Sequence, residues 1–227
     1  RGRIYRVGIE LEGGWKQLPE GVTLAHDASV MLDRGGSTDA TPLQVGELQS
    51  EPLEPQKVEA WIKYNYPQKV NHTCGLHVHM SFKSARHYQI LMVPEFQATM
   101  MAYVRKWGEN QKLEAAHPLW KRLTGETSYC KDRFFADIQA KAAKKDYSHG
   151  DNANRYTIIN YCYGLHSTVE CRLLPMMEKA PQSIEAVEHV LNVTNATLVA
   201  LAQREKKFTA EILGDDVIEA EERQVIV

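Results

Sequence analysis

No apolar run in the 227 residues approaches the ~20 that a helix needs to cross a bilayer, which excludes a membrane-spanning helix within them. The opening RGRIYRVGIELEGG lacks the apolar core of a signal peptide, and without an initial Met it reads as a trimmed chain. Cysteine is sparse: Cys74, Cys130, Cys162 and Cys171 stand far apart with no CxxC pair. That speaks for reduced, packed thiols in a cytoplasmic protein. An excess of either charge is missing too. Lys and Arg number 27 against 29 Asp and Glu, a formal charge of -2, so neither nucleic acid nor an anionic membrane is an expected partner. Repeats and linker-like segments are also lacking, and a single domain over 1–227 is expected.

What is present is an ordinary globular composition with a mixed helix and strand pattern. RIYRVGIELE (3–12) reads as a strand closed by Gly13-Gly14, and 15–46 as turn-rich with short strands at 22–25 and 28–32. LQVGELQS (43–50) predicts another strand and 55–66 a helix opened by Pro55. CGLHVHMSF (74–82) reads as a strand, and 84–107 as a long helix kinked or divided at Pro94. Residues 111–147 read as irregular helix and loop. YTIINYCYGLHSTVECRLLP (156–175) predicts two strands joined through 164–167. The apolar stripe Ile184, Val187, Val190, Leu191, Leu198 and Leu201 predicts a helix over 181–206, followed by an acidic tail that could be a strand or a partner contact. Together these give an α+β fold.

Three strands share a peculiarity. Side chains alternate along a strand, so residues i and i+2 face the same way. Glu10 and Glu12 therefore share a face opposite Ile9 and Leu11. His77 and His79 share one opposite Leu76, Val78 and Met80, and Glu170 and Arg172 share one opposite Val169, Cys171 and Leu173. A solvated second face is the ordinary reading for an antiparallel sheet. E-x-E, H-x-H and E-x-R are unusual furniture for it, because adjacent carboxylates repel unless a cation compensates. Carboxylates with an imidazole suit Mg²⁺, with Mn²⁺ also admissible. Zinc stays open, although the Arg beside the carboxylates fits phosphate chemistry better.

In chain order, GIELEG, CGLHVHMSF, NRYTIIN and VECRLLP resemble the motifs of the small phage and bacterial amidoligases. These are carboxylate–amine ligases of the glutamine synthetase and γ-glutamyl-cysteine ligase superfamily. HDASV (26–30) resembles their D-x-S turn and VGELQSEPL (45–53) their E-x-x-S-x-P segment, so the resemblance covers roughly 5–178. It departs at RLTGETSYC (122–130), where relatives carry R-x-x-N-x-Y-C. The resemblance implies a curved, mostly antiparallel sheet of glutamine-synthetase-like catalytic type with helices packed on its outer face. It also implies ATP and Mg²⁺ as cofactors. Glu12 and Glu47 would hold one ion; Glu10, His77 and Glu170 would hold another. His79 would face nucleotide or substrate, Arg155 and Arg172 would hold the phosphates, and Asn160 would be a polar contact. Asp27 is equally a structural turn residue, and Arg122, Lys131 and Arg133 read as solvated charges.

The implied reaction is ATP-dependent amide formation. A carboxylate attacks the γ-phosphate to give an acyl phosphate, and an amine from an amino acid, peptide or protein then displaces phosphate. Oligomeric state is open. Among other readings, a cupin would place a Glu soon after the second His, where this chain has Lys83 and Ser84. A zinc amidohydrolase would leave E-x-E and E-x-R unexplained and needs a barrel. A non-catalytic nucleotide-binding or phage accessory protein with the same motifs stays open.

Overall fold

The computed structural model describes residues 3–35, 42–133, 155–162 and 167–213, with side chains to Lys207. Its main sheet contains β1 (Ile4–Trp15), β2 (Gln44–Gln49), β3 (Gly75–Phe82), β6 (Ile159–Cys162) and β7 (Thr168–Pro175). Their order is β2-β1-β3-β7-β6, and every pairing is antiparallel. An all-antiparallel sheet of this kind is not the parallel barrel of an amidohydrolase. β4 (Glu126–Thr127) and β5 (Cys130–Lys131) form a separate small ladder.

The period-two pattern decides which face of the sheet is covered. Val7, Ile9 and Leu11 of β1, Leu76, Val78 and Met80 of β3, and Val169, Cys171 and Leu173 of β7 are all buried in one continuous apolar cluster. Helices cover that face: α1 (Val58–Asn65), α2 (Ala85–Leu91), α3 (Pro94–Asn110) and the long α5 (Ala180–Leu213). α5 packs on β3 and against α1, α2 and α3, and its Val187, Val190 and Leu198 are buried as the stripe predicts. Short α4 (Pro118–Leu123) instead packs on β7. None of the described helices is long and apolar enough to cross a membrane.

Several expected boundaries move for identifiable reasons. β1 does not stop at Gly13-Gly14 but continues to Trp15. A Cβ at Gly13 would come within 2.7 Å of Pro67, so this glycine permits close packing rather than ending the strand. Trp15 is then anchored by its Nε1 donating to Asn65 O at 2.9 Å. No strand forms over 22–25 or 28–32: Ala25 alone bridges to Glu47, and Ser29 N turns back onto Asp27 Oδ1 at 2.8 Å. Side-chain hydrogen bonds of this Asx kind compete with a ladder. The helix expected over 84–107 is two helices. Val93 is extended (φ -136, ψ 149) ahead of Pro94, because the proline ring disfavours a helical residue before it. Residues 214–227, expected as a strand or partner contact, and the polar segment 134–154 lie outside the described residues.

Candidate functional site

The polar face of the sheet is assembled by register. Glu12 pairs with Glu47 across β1 and β2, and Glu10 with His77 across β1 and β3. His79 pairs with Glu170 across β3 and β7, and Glu170 with Asn160 across β7 and β6. Directly opposed side chains on one face lie close together, so five strands bring residues from 10 to 170 into one row of contacts. Between the Val78–Cys171 and Leu76–Leu174 pairs, β7 carries one extra residue, a bulge beside Arg172.

The contacts are short. His77 Nδ1 lies 2.8 Å from Glu10 Oε2 and 3.4 Å from Glu170 Oε1. His79 Nε2 lies 3.0 Å from Glu10 Oε1, and its Nδ1 lies 2.9 Å from Thr168 Oγ1. Arg172 Nη1 donates to Glu170 Oε1 at 2.9 Å, and Asn160 Nδ2 to Glu170 Oε2 at 2.6 Å. Gly75 N donates to Glu12 Oε1 at 2.9 Å. Apart from Thr168 and Gly75, these residues line a cavity of about 700 Å³, together with Glu47, Arg155 and Asp27.

Burial sets the electrostatics. Glu170 is 3% exposed and Glu12 4%, so each carboxylate loses hydration that something must replace. Burial pushes Glu10 up, but its hydrogen bonds and charge attraction to His77 and His79 win, leaving it well below the ordinary carboxylate range. Burial likewise opposes the charged form of Glu170, and Arg172 with the two histidines overcomes it to lower the pKa. For Glu12 and Glu47 the compensation falls short: His77, the Gly75 N–H and Arg122 favour the charged Glu12, and Gln49 and His77 the charged Glu47, without offsetting burial. Burial raises Glu12, and burial followed by the Glu10 charge raises Glu47 to about 7. His79 is disfavoured as a cation by burial, yet the Glu170 charge and neighbouring hydrogen bonds hold it well above its usual value. The β2 side of the cavity therefore has surplus acceptor capacity, while the β7 side is neutralised internally.

Among the described residues, two groups built of carboxylates and an imidazole have the donor set of a divalent-ion site: Glu12 with Glu47 and His77, and Glu10 with His77 and Glu170. Within each, the ligand atoms lie within 4.8 Å of one another. The second group has the residues expected from sequence, and the first adds His77 to the expected Glu12 and Glu47. Oxygen-rich sets with one imidazole fit Mg²⁺ or Mn²⁺, and the elevated Glu47 is what a carboxylate near other carboxylates shows without a cation.

The nine residues singled out from sequence share this one cavity, and Asp27 joins them while also holding the Ser29 turn through its Oδ1. Lys131 and Arg133 do not line it. Arg122 corrects the sequence reading: it is 3% exposed rather than solvated, and α4 carries it into the cavity wall. Its Nη1 donates to Arg172 O at 3.2 Å and its guanidinium lies 4.9 Å from the Tyr129 ring centre. Its Nε has no hydrogen-bond partner among the described residues. Arg155 and Arg172 flank the Tyr156 ring at 4.7 and 5.4 Å, so two tyrosines hold three guanidiniums in place.

Sequence reasoning missed two further residues. Gly75 lies two positions before His77 and thus on the polar face. A Cβ there would sit 3.0 Å from His77 Nε2, 3.1 Å from Arg122 Nη2 and 3.4 Å from Glu12 Oε1. Cys162, expected as a packed thiol, lies two positions after Asn160 and lines the cavity. Extending the i, i+2 rule by one step would have found both. All four cysteines, Cys162 included, are buried as expected. No protein-family model, curated protein or solved structure matches the chain.

Proposed function

We propose that the chain is an ATP- and Mg²⁺-dependent carboxylate–amine ligase whose sheet is the curved, glutamine-synthetase-like catalytic type. The observation that carries this reading is the convergence of two carboxylate–imidazole groups and three guanidiniums in one cavity. Glu12, Glu47 and His77 would hold one ion, and Glu10, His77 and Glu170 a second. Bound Mg²⁺ would supply charge neutralisation at the transferring phosphoryl group.

The chain's own residues have separate tasks in this reading. Arg172, fixed by Glu170, and Arg155, seated on Tyr156, present planar donor forks matched to phosphate oxygens. Asn160 is buried with its Nδ2 committed to Glu170 and its Oδ1 without a partner among the described residues, so Oδ1 is the atom able to accept from a ligand. His79 is clamped between Glu10 and Thr168 and borders the space a nucleotide or substrate would occupy. Acyl transfer through a phosphorylated carboxylate asks for electrostatic stabilisation and alignment, and no protein nucleophile.

Incubation with ATP, Mg²⁺ and pooled amino acids and peptides tests the assignment, read as ADP release and as a new amide by mass spectrometry. The expected result is ADP release that needs both a carboxylate and an amine donor. ATP that binds but yields no ADP with any pool would move the assignment to the non-catalytic nucleotide-binding reading.

A further inference from the structure

Cys162 lines the cavity and belongs to neither of the two carboxylate–imidazole groups. β6 presents Asn160 and Cys162 to the polar side, while Ile159 and Tyr161 face the core. Cys162 is 4% exposed, with Sγ 3.1 Å from Thr168 Oγ1 and 4.0 Å from His79 Nδ1. His79 is gripped from its other side, where Nε2 lies 3.0 Å from Glu10 Oε1. A carboxylate on one ring nitrogen fixes the imidazole and aims the other nitrogen, which is the support metal-binding histidines ordinarily have. Here the aimed nitrogen faces a thiol. Glu170 completes the set: a sulfur, a nitrogen and an oxygen from Cys162, His79 and Glu170 all lie within 4.8 Å of one another. Three protein ligands of this mixture, with room in the cavity for a fourth, are the make-up of an open tetrahedral zinc site.

We infer that Cys162, His79 and Glu170 form a distinct site for a thiophilic divalent cation of the zinc class. Its thiolate selects a softer ion than the oxygen-rich groups beside it, and Mg²⁺ is not taken there. Thr168, now bonded to both the thiol and the imidazole, is the group released when they turn to a metal. The site shares Glu170 with the Glu10–His77–Glu170 group, so an ion bound at Cys162 competes for that carboxylate. None of this depends on the ligase reading.

The test uses the full chain stripped with a chelator and titrated with Co²⁺. A thiolate-to-cobalt charge-transfer band is expected, at a site that Mg²⁺ alone does not fill. Cys162→Ser should abolish the band and weaken Co²⁺ binding by at least ~10-fold. X-ray absorption on Zn²⁺-loaded wild-type protein needs no variant and should show one sulfur at about 2.3 Å. No band in the wild type, a band that survives Cys162→Ser, or a shell of nitrogen and oxygen alone would overturn the inference. ATP binding in Mg²⁺ is read separately, so failure here and failure of the ligase assignment are distinguishable.

Discussion

Replacing Glu47 with Gln should make the metal-free protein more stable while weakening its hold on a divalent ion. Glu47 is partly buried and its pKa is displaced from 4.5 to about 7, first by burial and then by the Glu10 charge. A folded pKa above the unfolded one means that the folded state keeps its proton longer. Stability from this group is therefore complete below about pH 4.5 and declines as pH rises toward 7. The displacement corresponds to roughly 3 kcal/mol at pH 8 and under about 1 kcal/mol at pH 5. Glu47→Gln removes the titrating charge and keeps an oxygen able to accept from Gln49 Nε2. His79 and Glu12 titrate in both proteins, so the difference between variant and wild type reports position 47 together with its coupling to Glu10 and Glu12. Urea unfolding in EDTA should show a gain of ~1–3 kcal/mol at pH 8 and little at pH 5. In Mg²⁺ the order should reverse, because the ion stabilises only the folded protein that binds it. An identical effect at both pH values, or a less stable variant at pH 8 in EDTA, would refute the reasoning.

Gly75→Ala places a methyl 3.0 Å from His77 Nε2 and 3.1 Å from Arg122 Nη2. It should cost about 1–3 kcal/mol by overpacking and at least ~10-fold in Mg²⁺ affinity, measured by unfolding and calorimetry. Away from the site, Tyr88 OH accepts from Phe82 N at 2.8 Å and donates to Ser167 O at 2.5 Å. Tyr88→Phe should cost about 1–3 kcal/mol in urea unfolding and leave metal affinity unchanged.

The polar and apolar faces of β1, β3 and β7 were legible because strand alternation is a rigid rule, and Val7, Leu76, Cys171 and their neighbours lie where it puts them. Register was not legible: nothing in GIELEG says that Glu10 faces His77 rather than His79, since the hydrogen-bond pairing of β1 with β3 decides it. Arg122 was misread because a lone Arg on a one-turn helix carries no sign of burial. Only the packing of α4 on β7 turns it inward. The strand expected over 28–32 failed where Asp27, Asn71 and Thr73 side chains claim backbone groups that a ladder would need. Of the kink or division expected at Pro94, the division is the one that forms.

Calorimetric titration of ATP, in Mg²⁺ and in EDTA, tests the central claim most directly when repeated on Glu10→Gln and Glu170→Gln. The expected result is ATP binding that requires Mg²⁺ and that both substitutions weaken. ATP that does not bind a folded sample under any metal condition, or binds equally well in EDTA and in both variants, would contradict a nucleotide–metal site on this face of the sheet.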